Sequence, residues 1–371
     1  MKKVCVVTAA RSEYGLLRWL LNELRDSKDL QLQLLVTGGH LSPEQGLTYK
    51  QIERDGFVID KKIEFLLSSQ TAIGIAKSMG VCMISIADAL NDLSPDLLVV
   101  LGDRYELLPI CSCALIMRVP IAHISGGDVT EGAIDDQIRN AVTMMSTLHF
   151  PGNNNSAMKI IEMIGSNVNV YAVGEPGLDS FVQCKLMNRQ EIGSNLCLDL
   201  QKKWLLVTFH PETKESIDYN INIAKNIIDS LLELSDVQVV ITQANADLGG
   251  VEINDIFRKA SISRPDRFKF YSSLGQLRYL SFMKEAFCVI GNSSSGIVEA
   301  PFLGKPVLNI GKRQLGRHIC HNILNVSGAK ESIRQGLSEF TKLDFLPDHY
   351  YGDGMTSKRI FSYIYNFLLS K

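Results

Sequence analysis

CVIGNSSSGIVEAPFLGKPVLNIGKRQLGR, residues 288–317, decides how the chain is read. An apolar run of strand length starts at Cys288, breaks at Gly291-Asn292, passes through Ser293-Ser294-Ser295-Gly296 and enters a helix predicted from near Ile297. A strand, a loop of small residues and a helix start leave backbone N–H groups unpaired where they favour an anion, and a phosphate is the natural guest. Glu299, in the first turns of that helix, is a carboxylate suited to a vicinal diol such as a ribose. Arg313 follows the next apolar run, Pro306 to Ile310, and supplies a planar cation for a second phosphate. The same residues also read as an N-cap serine cluster, a first-turn acid and a surface arginine. Their joint spacing at successive strand ends favours a nucleotide site.

Working outward, the pattern repeats. Trp204 to Phe209 is an apolar strand ending in His210-Pro211-Glu212-Thr213. Pro211 holds His210 in extended backbone, where its imidazole is a phosphate donor, a proton carrier or a simple cap. Val237 to Thr242 ends at Gln243-Ala244-Asn245, and Arg267 to Tyr271 ends at Ser272-Ser273. In the first half Val4–Thr8, Leu32–Val36, Leu97–Leu101 and Ile121–Ile124 are continuous apolar runs, as expected of parallel strands buried on both faces. Helices are predicted between them over 16–24, 43–54 and 71–93. Arg11, His40, Asp103 and Arg104 therefore fall at the carboxyl ends of strands, where doubly wound sheets bind ligands. Asp103 is alternatively the N-cap of a helix running through Leu115. Asp128, Glu131, Asp135 and Asp136 crowd the loop and helix start after Ile124. Acids this close raise one another's pKa values, and two of the set are expected to do proton chemistry.

At 371 residues, 46% hydrophobic and 21% charged with net charge −2, the chain has material for two ordinary cores. No basic stripe is present for a nucleic acid. The apolar run after Met1-Lys2-Lys3 is too short for a membrane span and lacks a cleavage signal, so a cytoplasmic protein with no membrane partner is expected. Eight scattered cysteines show no zinc-finger spacing and read as reduced thiols, with no metal and no cofactor implied. Two Rossmann-like α/β domains follow: 1–175, carrying the carboxylates, and 176–355, carrying the nucleotide loop. A final helix over 356–371 has an apolar face, Ile360, Phe361, Ile364, Phe367 and Leu368, that can pack back on the first domain.

Motifs along nearly the whole chain are similar to one family. They are Arg11-Ser-Glu-Tyr-Gly15, His40-Leu-Ser-Pro, Gly102-Asp-Arg104, His123 with Gly126-Gly127, Gly132-Ala-Ile-Asp-Asp136 with Arg139, His210-Pro211, Gly291-Asn-Ser-Ser, Glu299, Gly311-Lys-Arg313-Gln and Tyr351-Gly-Asp-Gly354. In that order they resemble the hydrolysing UDP-N-acetylglucosamine 2-epimerases of bacterial sialic acid biosynthesis and the epimerase half of the animal enzyme. The resemblance implies two Rossmann-like domains in a GT-B arrangement with the active site in the inter-domain cleft, a UDP-sugar substrate, UDP and N-acetylmannosamine as products, and a homodimer. Carried over by position, Arg11, Arg104, His210, Asn245, Ser293, Ser294, Glu299 and Arg313 hold UDP, with His40, Ser272 and Gly296 bordering the substrate. The catalytic acids fall on Asp103 and Asp135. Many relatives have Glu where this chain has Ser125, and others have a Glu at the position of Asp128, so Asp128 and Glu131 are the further catalytic candidates. Ala9-Ala10-Arg11-Ser12-Glu13 and His210-Pro-Glu-Thr separate the chain from the non-hydrolysing relatives. Rival readings are the same chemistry on a UDP-2,4-diacetamido-2,4,6-trideoxyhexose and a GT-B glycosyltransferase.

Overall fold

The computed structural model describes residues 1–69, 71–129, 134–244, 249–340 and 345–369, so Glu131 and Asn245 lie outside the described residues. The chain forms two compact units. One gathers Met1–Asp128, Ile134–Ser180 and Gly352–Lys371, and the other takes Val129 and Phe181–Tyr351.

In the first unit β1 (Lys2–Thr8), β2 (Leu30–Thr37), β3 (Lys61–Ile63), β4 (Leu97–Leu101), β5 (Ile121–Ile124) and β6 (Leu148–Phe150) form one sheet in the order β3-β2-β1-β4-β5-β6. Every neighbouring pair is parallel. All five residues of β4 are buried, because helices cover both faces. The helix Arg11–Arg25 buries Leu17, Leu20, Leu21 and Leu24 on one face. The helices Ala72–Leu93 and Leu107–Ile116 bury Cys82, Ile86, Leu90, Ile110 and Ala114 on the other. Ala72–Leu93 is long and apolar enough to cross a membrane by length and composition. Here one side of it is core, while Ile73 and Ile84 face solvent.

The chain comes back to this unit at its far end. Thr356–Leu369 is a helix whose Ile360, Ile364 and Leu368 join the core containing Leu17 and Leu20. Its first turn is capped from a distance: Asp179 accepts from Thr356 N at 2.8 Å and Ser357 N at 2.6 Å. A carboxylate there satisfies two orphan amides and suits the helix dipole.

The second unit repeats the plan. Its strands are β7 (Lys203–Thr208), β8 (Val237–Thr242), β9 (Phe268–Tyr271), β10 (Cys288–Gly291), β11 (Val307–Ile310) and β12 (Ile323–Val326), in the order β12-β11-β10-β7-β8-β9, all parallel. Counted from the first strand of each unit, both sheets run 3-2-1-4-5-6. That order reverses direction between β1 and β4 and between β7 and β10, and such reversals are where open α/β sheets receive ligands.

Three departures from the expected elements have local causes. The helix predicted over 43–54 begins only at Tyr49, after a turn with Gly46 at φ +84°. Asp103 is not an N-cap, since the next helix starts at Leu107 after Glu106. The helix expected from near Ile297 instead begins at Ser294 and splits into Ser294–Ile297 and Glu299–Phe302. Pro301 has no N–H and its ring would strike the carbonyl four residues back, at Ile297.

Gly291, where β10 ends, has φ +130°, and a Cβ there would overlap the carbonyl oxygen of Thr208. Gly291→Ala is expected to cost roughly 2–4 kcal/mol from overpacking plus backbone strain, read as a lowered urea midpoint at unchanged slope.

Candidate functional site

The first reversal point, at the ends of β1 and β4, is built on charge. Glu13, in the first turn of Arg11–Arg25, turns back so that its Oε2 accepts from Ala9 N (2.7 Å) and Ala10 N (3.2 Å). Arg104 donates to Glu106 Oε1 at 2.9 Å and lies 3.6 Å from Glu13 Oε1. Glu13 and Glu106 are both buried, and burial pushes the Glu13 carboxyl up to about 7. Arg11 stands exposed as the first residue of its helix. His40 is fully buried with both ring nitrogens bonded inside the domain, to Thr8 Oγ1 (2.9 Å) and Thr48 Oγ1 (2.8 Å). Burial lowers its pKa to about 4, so it is a neutral tie between the β1 and β2 ends.

Beside this lies a second charged group, centred on Arg139. This arginine falls on the core face of the helix Asp135–Met145 with Ile138 and Val142, and its side chain is only 2% exposed. A guanidinium in that position must be neutralised. It pairs with Asp103, donates to Asp136 Oδ1 at 2.8 Å, and donates to the backbone oxygen of Asp128 at 2.8 Å. The expected cluster of acids therefore has a cation at its centre. The Asp128 carboxylate accepts from Ser156 Oγ at 2.7 Å, and Asp135 is half-buried at the start of the helix. His123, on β5, bonds the Gly102 carbonyl oxygen (2.8 Å) through Nε2 and Thr143 through Nδ1, and burial lowers it to about 4.

At the second reversal point Asn292 laces three loops together. Its side chain accepts from His210 N (2.7 Å) and donates to His210 O (2.9 Å), carrying the β7–β10 ladder one rung past the strands. Its own carbonyl oxygen accepts from Arg313 (3.1 Å) and Gln314 (2.8 Å). Glu212 completes the lacing by accepting from Lys312 N at 2.9 Å. His210 is buried, and burial together with the Arg313 charge lowers it to about 3, so the ring is neutral. Ser293 caps its short helix by accepting from Ser295 N at 3.4 Å, and Ser295 bonds Tyr279 Oη at 2.6 Å. Ser294 and Ser272 are exposed. A Cβ on Gly296 would come 3.1 Å from Val307 Cγ1, so close packing on β11 accounts for a glycine there. Glu299 is half-buried, and burial raises its carboxyl to about 6. Among the described residues no group of three or more His, Cys, Asp or Glu is arranged to hold a metal ion.

Reasoning from sequence placed the strand-end residues but gave no role to Glu106, Asn292 or Gln314, and it named Arg139 only as part of a motif. The signal for Arg139 was present: a charge in register with Ile138 and Val142 on an amphipathic helix needs an acid nearby. Asn292 had no such signal, because its side chain bonds backbone atoms 82 residues away.

The architecture is that of enzymes built from two Rossmann-like domains. A solved structure of UDP-GlcNAc 2-epimerase from Neisseria meningitidis, bound to UDP-GlcNAc, superposes with a TM-score of 0.82 at 17% identity over 100% of both chains. The family model described as UDP-N-acetylglucosamine 2-epimerase matches residues 22–365, and the chain belongs to that family. It is similar to the GDP/UDP-N,N'-diacetylbacillosamine 2-epimerase (hydrolyzing) of Campylobacter jejuni, with 40% identity over 324 residues, 87% of this chain and 84% of that protein. It is also similar to the polysialic acid biosynthesis protein P7 of Escherichia coli, with 32% identity over 339 residues, 91% of this chain and 86% of that protein.

Burial of Glu13 sets a pH dependence. The folded protein holds this proton at higher pH than the unfolded chain, so the contribution to stability is full below the ordinary carboxylate range and is lost as pH rises through about 7. The shift from 4.5 to about 7 corresponds to a loss of order 3 kcal/mol. Glu13→Gln keeps an acceptor for the two amides and should flatten the fall in melting temperature between about pH 5 and about pH 8; parallel curves for the two proteins would refute the assignment.

Proposed function

We propose that the protein is a hydrolysing 2-epimerase that converts a UDP-2,4-diacetamido-2,4,6-trideoxyhexose and water into UDP and the free sugar inverted at C2. The observation supporting this reading is the 40% identity to the relative named for that activity on diacetylbacillosamine. UDP-N-acetylglucosamine, giving N-acetylmannosamine for sialic acid biosynthesis, is the second reading, supported by the motif order and by the similarity to the polysialic acid protein.

The C2 proton has no adjacent carbonyl to acidify it, so departure of the diphosphate must drive its loss. As the C1–O bond breaks, its electron pair leaves with UDP and positive charge grows at C1 and the ring oxygen. The C2–H pair becomes the C1=C2 double bond while a carboxylate takes the proton. In the second half water adds its oxygen to C1 and gives one proton to a base, and C2 receives a proton on the opposite face. Inversion thus needs proton-transfer groups on both faces. In this reading Asp103 and Asp135 carry that chemistry, with Asp128 and Glu131 as further candidates. Arg11, Arg104, Arg313, Ser293, Ser294 and Asn245 hold the nucleotide and Glu299 the ribose. Neutral His210 donates a hydrogen bond to the departing phosphate.

Each sugar nucleotide is incubated in deuterated water and followed by proton NMR. The expected products are UDP and a free diacetamido sugar deuterated at C2; turnover of UDP-N-acetylglucosamine alone would decide for the second reading. Transfer to an acceptor with no deuterium at C2 would overturn both in favour of a glycosyltransferase. Asp103→Asn and Asp135→Asn should lower turnover roughly 10²–10⁴-fold with UDP affinity nearly intact, whereas Arg313→Ala should weaken UDP binding roughly 10–100-fold. Normal turnover in both aspartate variants would sink the catalytic assignment.

A homodimer fits the same reading. Ile84 and Ile116 are exposed on helices that touch where Cys113 Sγ meets the Met83 carbonyl oxygen at 3.4 Å, giving an apolar face for a second copy. Sedimentation over a concentration series should give twice the chain mass, and Ile116→Lys should shift it to the monomer.

A further inference from the structure

From the end of β5 we infer that Glu175 is a further proton-transferring carboxylate of the epimerase reaction, delivered to the candidate site by the stretch that follows the helix Asn154–Ile164. The inference rests on the epimerase reading and adds a residue to it.

Ser125, the residue after β5, stands where three strands release the chain. Gly102 N, just before Asp103, donates to Ile124 O at 3.0 Å, and Ser125 N donates to Phe150 O at 3.0 Å. Ser125 is therefore about one strand spacing, roughly 4.8 Å, from the chain that carries Asp103. Its φ is +58°, a left-handed conformation that a serine adopts only at a cost. In that conformation its hydroxyl donates to Glu175 Oε2 at 3.0 Å.

The Glu175 backbone is pinned from several sides. Gly174 precedes it at φ +98°, its carbonyl oxygen accepts from Leu178 N (3.1 Å) and Thr356 Oγ1 (3.3 Å), and a Cβ on Gly352 would lie 3.5 Å from its nitrogen. Its carboxylate rests on Gly152, the second residue after β6, where any Cβ would overlap Oε1. Two strained or glycine-dependent positions, 125 and 152, thus leave room for one carboxyl group and aim it.

The plain alternative is a helix cap. Glu175 does occupy the N-cap position of the short 3₁₀ turn Pro176–Leu178, yet its side chain makes no capping hydrogen bond there and turns to Ser125 instead. The reaction supplies a task. Over the two half-reactions one proton leaves C2, one leaves the attacking water and one returns to C2 from the other face, while Asp103 is engaged with Arg139. A carboxyl group next to the β4 end and held by a neutral hydroxyl suits one of these transfers.

The test uses the full-length protein and the deuterium-exchange assay. Glu175→Gln keeps an acceptor for Ser125 and removes only the ionisable group. It should lower kcat at least roughly 100-fold with KM and UDP affinity within threefold of wild type. Two rescues then separate chemistry from structure: formate added to Glu175→Ala, and Ser125→Glu placed in the Glu175→Gln background. At least tenfold recovery in either supports the inference. Turnover of Glu175→Gln within threefold of wild type, or an inactive variant that neither rescue restores, overturns it. No turnover by the wild type on any UDP-sugar would overturn the epimerase reading and this inference together.

Discussion

A parallel sheet covered by helices on both faces leaves little room for polar side chains away from its strand ends, and that constraint shapes both units of this protein. β4 is wholly apolar, and the first polar residues after it are Asp103 and Arg104. Polar residues likewise follow β7, where His210 comes after Phe209, and β10, where Asn292 comes after Gly291. Because neighbouring strands diverge where the strand order reverses, the backbone amides and carbonyls at these points lack a ladder partner. Side chains take over: Glu13 caps the Ala9 and Ala10 amides, and Asn292 bonds both backbone groups of His210. The polar apparatus of the protein begins as the answer to unpaired peptide groups.

The two ends differ in how they handle charge. In the first unit Arg139 and Arg104 are each set among carboxylates, so local charge is balanced before any ligand arrives. An ion pair this buried is weak evidence for stability and better evidence for position, since a guanidinium with several partners fixes where each acid points. In the second unit the Asn292 carbonyl oxygen accepts from Arg313 and Gln314, and His210 is kept uncharged by burial and by that arginine.

Much of the plan was legible in the residue order. Strands such as Leu97–Leu101 appear as unbroken apolar runs, and small or charged residues repeatedly follow them. The short edge strands Lys61–Ile63, Leu148–Phe150 and Ile323–Val326 were not, since three or four residues give no periodicity and their pairing comes from a neighbour already in place. The acids of the first half were legible as a group and the register of Arg139 with Ile138 and Val142 pointed to a cation near an acid, but which acids it meets was not legible, because Asp103 reaches it from another strand end. Glu175 was the least legible of all: in sequence it is an acid before a proline in an irregular stretch, and only the fold brings it to Ser125.

The last helix has a consequence for how the protein is made. Leu17 and Leu20 emerge from the ribosome early, yet the apolar face that covers them, Ile360, Ile364 and Leu368, is translated only after the second unit, and its cap Asp179 must wait for it. The leading domain therefore stays uncovered on one flank while the whole trailing domain is synthesised and folds. Docking of that helix is the event that seals it, so a stop between Tyr351 and Ile360 would leave both units nearly intact with an open, sticky core.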